Sequence, residues 1–124
     1  MKYITLYTNG KGESHFKDVD TAFTQVNFAP PAPPVGLTKF LDASKIVFFQ
    51  IPTGWFGDWH PAPKTQFFCC LKGEAEITAG DGEVRRFKAG DVFLLEDTTG
   101  KGHTTRVIGA EAFEAAVVQL AVKS

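Results

Sequence analysis

Sulfur is scarce in this chain, which has two cysteines and one methionine in 124 residues. Two cysteines cannot build a disulfide scaffold. They are moreover the neighbours Cys69 and Cys70, which in a strand point to opposite faces. They read as reduced apolar fillers, with a vicinal redox pair as the remote alternative. A charge excess is missing too. Thirteen basic against fourteen acidic side chains leave a net charge of −1, which excludes an electrostatic nucleic-acid binder and a protein held on a membrane by a basic face. No hydrophobic run nears the eighteen or so residues that a membrane span needs. The longest is Phe67-Phe68-Cys69-Cys70-Leu71. The first residues turn polar at Thr8, before a signal-peptide segment could develop, so a cytoplasmic protein is expected. Long helical periods and internal repeats are absent as well.

What is present is a soluble globular composition, 44% hydrophobic and 22% charged with a mean hydropathy of −0.07. The length suits one domain over residues 1–124, burying roughly two-thirds of its unfolded surface. The compositional surplus is aromatic: twelve phenylalanines beside two tyrosines and two tryptophans. Phe-rich, Gly-rich chains lean towards β structure.

Short apolar runs divided by turn residues repeat along the chain. Tyr3–Tyr7 ends at Asn9-Gly10 as a strand and turn, and Ala22–Phe28 alternates loosely. The run Ala29-Pro30-Pro31-Ala32-Pro33-Pro34 lacks ladder donors and is expected as an extended surface connection. Lys45–Ile51 is apolar on both sides of the pleat, as a strand buried between layers would be. Thr65–Leu71 and Glu74–Thr78 read as strands. Ala79-Gly80-Asp81-Gly82 is a hairpin turn that returns through Glu83–Phe87. Strands follow at Asp91–Leu95, at Thr104–Ile108 and at Ala115–Val122, where a short amphipathic helix is the alternative. Eight to ten such strands predict a sandwich or closed barrel.

The scarcest reactive groups are His15, His60 and His103. From Gly54 the chain reads GWFGDWHPAPKTQ, with six residues between Gln66 and Gly73. That spacing resembles the first cupin motif, G-x5-H-x-H-x3-E-x6-G. His60 stands at its first histidine and Gly73 at its last glycine, while Ala62 replaces the second histidine and Gln66 the glutamate. The second cupin motif, G-x5-P-x-G-x2-H-x3-N, is matched by Gly90 and by Gly100-Lys101-Gly102-His103. Two extra residues lie between those ends, Thr98 replaces the proline and Val107 the asparagine. The resemblance covers residues 43 to 109 and looks most like small single-domain bacterial cupins without an assigned reaction. It implies an all-β, RmlC-like jelly-roll barrel, a small polar organic ligand inside it, and a homodimer. Tyr3–Tyr7 is the candidate contact for that dimer, because an unpaired edge needs covering.

In a strand, Gln66, Phe68 and Cys70 share one face, with His60 on the entering segment. If that face lines the barrel, His60, Gln66 and His103 form a weak, under-charged site for a divalent metal such as Zn, Fe, Mn or Ni. A metal-free pocket with hydrogen-bonded histidines is the rival reading. Of the adjacent pair Glu96-Asp97 only one should enter the pocket. Glu96 and His60 are the expected acid–base groups, and Trp59, Gln66, Phe68 and Lys101 the expected ligand contacts. Trp55 and Trp59 suit either core packing or a platform at the barrel mouth, and His15 suits a surface or an edge. Thr98-Thr99-Gly100-Lys101 lacks the spacing of a phosphate loop. Three classes stay open: a metal-dependent enzyme, a metal-free acid–base enzyme, and a binding or sensing module without turnover.

Overall fold

A computed structural model describes residues 1–121. The chain is all-β, with twelve strands among the described residues. They are β1 Lys2–Thr8, β2 Ser14–Asp20, β3 Thr24–Val26, β4 Val35–Leu37, β5 Ala43–Ile51, β6 Phe56–His60, β7 Gln66–Lys72, β8 Glu74–Thr78, β9 Val84–Lys88, β10 Val92–Leu95, β11 His103–Ile108 and β12 Phe113–Leu120. A six-stranded sheet runs β2-β1-β10-β7-β12-β5 and a four-stranded sheet runs β6-β11-β8-β9. β3 and β4 pair only with each other. No helix among the described residues is long and apolar enough to cross a membrane.

Alternation decides which side chains meet between the sheets. Along β7 every second residue is buried, and β8 buries Ala75 and Ile77 while its glutamates reach the surface side. The core gathers Leu6, Phe68, Phe87, Phe93, Val107, Phe113 and Val117 from six strands of both sheets. Full burial of each such side chain contributes about 1.5–3 kcal/mol. Phe93 stacks on Phe68, its direct partner in the β10–β7 ladder, with centroids 4.7 Å apart. Cys69 and Cys70 are unpaired thiols on opposite faces, Cys70 the buried one.

Three expectations are corrected. β1 is not an edge, because it lies between β2, antiparallel, and β10, parallel. SHFKDVD carries too little apolar alternation to announce β2, and without β2 the Tyr3–Tyr7 strand looked uncovered. The proline-rich run is the turn of the β3–β4 hairpin, closed by the Ala32 amide donating to the Ala29 carbonyl at 2.9 Å. Finally, β5 is not buried between layers. It is the outermost strand of the larger sheet, and Ile46, Val47 and Phe48 are all exposed. The last strand is β and not helix up to Leu120, and Val122 lies outside the described residues.

Candidate functional site

A cavity of about 310 Å³ opens between the two sheets. His60, Gln66, Phe68 and His103 all line it. β11 pairs with both β6 and β8, and His103 sits directly opposite His60 in the β6–β11 ladder. The two rings lie 4.6 Å apart. This closeness depends on the residue before His103. Gly102 has a left-handed φ of +78°, and a Cβ there would run into the carbonyl of His60 and the nitrogen of Pro61. Only glycine lets the two segments approach so closely. Ser14, fully buried on β2, pins the same loop: its hydroxyl donates to the Gly102 carbonyl and accepts from the Gly80 amide, both at 2.7 Å.

Both imidazoles are oriented through Nδ1. The Nδ1 of His60 is 2.6 Å from the carbonyl oxygen of Asp58, and that of His103 is 2.5 Å from Oδ2 of Asp97. A carbonyl and a carboxylate can only accept, so in each ring Nδ1 carries the proton and Nε2 is left as the free position. The His103–Asp97 pair is the most enclosed polar contact of the site, with His103 2% exposed and Asp97 not exposed at all. Asp97 Oδ1 is buried without a partner. A carboxylate so placed is costly unless its charge is compensated, and His103 is the cation-capable group touching it. Gln66, also buried, accepts from the Gln119 amide at 3.3 Å, which sets its carbonyl beside the cavity.

The rest of the lining is apolar: Phe49, Ile51, Phe68, Phe93, Leu95 and Phe113 dominate, and no Lys, Arg, Asp or Glu takes part. Trp55 joins them because Gly57 leaves room for its indole, which rests where a Cβ of residue 57 would be.

Other expected site residues lie elsewhere. Glu96 is exposed, in a shallow depression with Tyr3, Thr5, Tyr7 and Lys17 outside the barrel, and cannot act in the cavity. Alternation sends it outward and its neighbour Asp97 inward. Trp59 fails for the same reason: it adjoins His60 on β6 and faces the other way. Lys101 stands over its ring at 4.0 Å, so both are engaged with each other outside the cavity and do not line it. His15 is partly exposed and bridges Asp81 at 3.0 Å and Glu13 at 2.9 Å. Thr105 and Gln119 went unrecognised in the sequence, while Asp97 and Trp55 stood there only as one of two open alternatives. The signal for Asp97 was present in the Glu96-Asp97 pair, but sequence could not fix the phase of the strand.

The metal site suggested by the motif does not fit these donors. The family's second histidine position holds Ala62, buried in the wall, and its glutamate position holds Gln66. No group of three or more His, Cys, Asp or Glu suited to a metal occurs among the described residues. Two imidazoles and an amide offer a divalent ion no anionic donor in the cavity, since the one nearby carboxylate, Asp97, lies behind His103.

A family model, the cupin domain, matches residues 47–119. The chain belongs to the cupins. No curated protein matches it. Among solved structures, a conserved protein of unknown function from Streptococcus pyogenes is 25% identical with a TM-score of 0.51, over 64% of this chain and 65% of that one. This cupin thus spans just under two-thirds of that protein's length. A cupin 2 conserved barrel domain protein from Salinispora arenicola is 19% identical, with a TM-score of 0.52, over 81% and 75% of the two chains. An RmlC-like cupin with a double-stranded β-helix fold from Methanocaldococcus jannaschii is 18% identical, also at 0.52, over 82% and 91%. These last two share the fold.

Proposed function

We propose that this chain is a single-domain, cytoplasmic cupin that encloses a small, uncharged, largely apolar organic molecule and moves a proton on it with His103, without a metal. The observation that carries the reading is the buried His103–Asp97 pair at the polar end of an otherwise apolar cavity. Asp97 holds the ring so that Nε2 is the free acceptor. A proton taken there leaves an imidazolium beside a buried carboxylate, the compensation Asp97 otherwise lacks. His60 and Gln66 supply a second acceptor and an amide to hold a polar head. The unpaired thiols Cys69 and Cys70 fit a reducing compartment.

The lining also narrows the ligand relative to the small polar molecule suggested by the motif. A carboxylate or phosphate entering this cavity would lose its hydration and meet no Lys or Arg. The volume, about that of ten water molecules, suits a ligand on the order of ten non-hydrogen atoms.

The test uses neutral aryl ketones and the carboxylates of the same size. Binding is followed by thermal shift and by Trp55 fluorescence, and proton movement by deuterium uptake at the ketone α-carbon in D2O. Ketones should stabilise the protein and exchange, with exchange lost in His103→Gln. Asp97→Asn should retain the fold and slow exchange at least tenfold, on the scale seen when the partner that orients a histidine is removed. Carboxylates binding as tightly as ketones, or exchange indifferent to His103→Gln, would overturn the reading. Ketone binding without exchange would leave a binding module in its place.

A further inference from the structure

The residues lining the cavity are buried or half-buried with two exceptions, Trp55 and Pro63, which are exposed. Trp55 lies in the loop before β6 and Pro63 in the loop after it, so the cavity opens to solvent between these two loops. The backbone of Trp55 is fixed there. Its amide donates to the Pro52 carbonyl at 3.1 Å, and its carbonyl accepts from the Val107 amide at 2.9 Å. Only the indole is left to turn, about its side-chain bonds. Gly57 is what the indole rests on. Between the pairs Gly57–Thr105 and His60–His103 the ladder shifts register, three steps along β6 facing two along β11. The extra residue makes a bulge, which turns Gly57 to the same face as His60. A Cβ at residue 57 would overlap Cη2 and Cζ3 of the indole and lie 3.3 Å from Cε1 of His60. The backbone of Gly57 is not left-handed, so conformation does not call for glycine at this position. What glycine supplies is the seat of the indole.

We infer that Trp55, seated on Gly57, determines the size of ligand that the site accepts, as an aromatic stop across the mouth beside His60. The inference rests on the proposed reading of the cavity as a site for a neutral, largely apolar molecule, and not on the proton transfer. With the indole in its seat, the cavity of about 310 Å³ suits a single-ring aryl ketone, which meets an aromatic face as it enters. A second ring in line with the first needs the place that the indole holds. The indole keeps that place by packing on Gly57, so the stop is lifted in two ways: by deleting the indole, or by filling its seat with a methyl group. The two substitutions lie at different residues and act on the same side chain, so they should have the same consequence and should not add. A tryptophan that merely packed in the wall would not tie its selectivity to residue 57.

The experiment measures dissociation constants of acetophenone and 4-acetylbiphenyl by calorimetry for the wild type, Trp55→Ala, Gly57→Ala and the double variant, with circular dichroism to confirm the fold of each. The wild type should prefer acetophenone by at least about tenfold. Trp55→Ala and Gly57→Ala should each lose that preference, and the double variant should match Trp55→Ala. The fluorescence of Trp55, isolated by subtracting the spectrum of Trp55→Phe, reports on the seat with no ligand present. In Gly57→Ala it should shift to the red and be quenched more readily by acrylamide. A wild type that binds both ketones alike, or a Gly57→Ala variant that keeps the wild-type preference or the wild-type quenching, would overturn the inference and leave the ligand class of the cavity standing. Binding of neither ketone by any of the four proteins would overturn the ligand class, and this inference with it.

Discussion

Gly102→Ala tests whether the pairing of His60 with His103 depends on backbone approach. Two costs combine at this position. An alanine held at a φ of +78° is strained by about 1–3 kcal/mol. Its methyl group would also overlap the His60 carbonyl and the Pro61 nitrogen, and overpacking of that kind costs a further 1–3 kcal/mol or so. Gly82→Ala is the control, because its φ is +89° with no atom within 4 Å of the added Cβ. The control bears the first cost alone. Gly102→Ala should therefore be less stable than Gly82→Ala by about 2 kcal/mol, which for a chain of this size is roughly 6–10 °C in melting temperature. Thermal and urea melts of the three proteins measure this directly. Below the melt, the nuclear Overhauser effect between the two imidazoles should weaken in Gly102→Ala and persist in Gly82→Ala. Two variants melting within about 2 °C of each other, with the ring contact intact in both, would refute the argument that this glycine builds the site.

Glu96→Gln should leave ketone binding and exchange at wild-type level and change stability by no more than about 0.5 kcal/mol, since the residue is exposed outside the barrel; a loss of exchange would return it to the site. Burial, aided by Asp91 and Cys69, pushes the Cys70 thiol up from its ordinary 9.0 to about 12. The fold keeps this proton where the unfolded chain loses it, so the associated stability is intact below pH 9 and is lost as pH rises from there towards 12. The drop in melting temperature between about pH 8 and pH 10.5 should shrink in Cys70→Ala, and an unchanged drop would contradict the assigned cause. Protein purified without chelator and incubated with Fe²⁺, Mn²⁺, Ni²⁺ or Zn²⁺ should retain less than about a tenth of an equivalent after desalting. Near one equivalent, lost on replacing His60 and His103, would show that the neutral donor set suffices.

The barrel was legible because its strands in the second half alternate cleanly and its turns are marked by glycine. Gly73, Gly82 and Gly90 all have the positive φ that their turns demand, and the motif spacing places His60 and His103 in a common cavity. The chemistry at that cavity was harder to read. In Glu96-Asp97 and in Trp59-His60 the choice between neighbours is a choice of pleat phase, and one residue of phase moves a side chain from the interior to solvent. The phase is fixed by tertiary pairing: the Glu96 amide donates to Leu6 and the Ala62 amide to the Asp97 carbonyl, contacts that span large distances in sequence. KIVFFQI shows a different limit. Apolar residues on both faces of a strand report that both faces avoid water, and nothing in the pattern says whether the cover comes from the same chain. Within this chain β5 receives β12 on one edge and little on its faces. The apolar pattern of KIVFFQI and the exposure of β5 therefore disagree, because a strand's apolar content does not say which element lies over it.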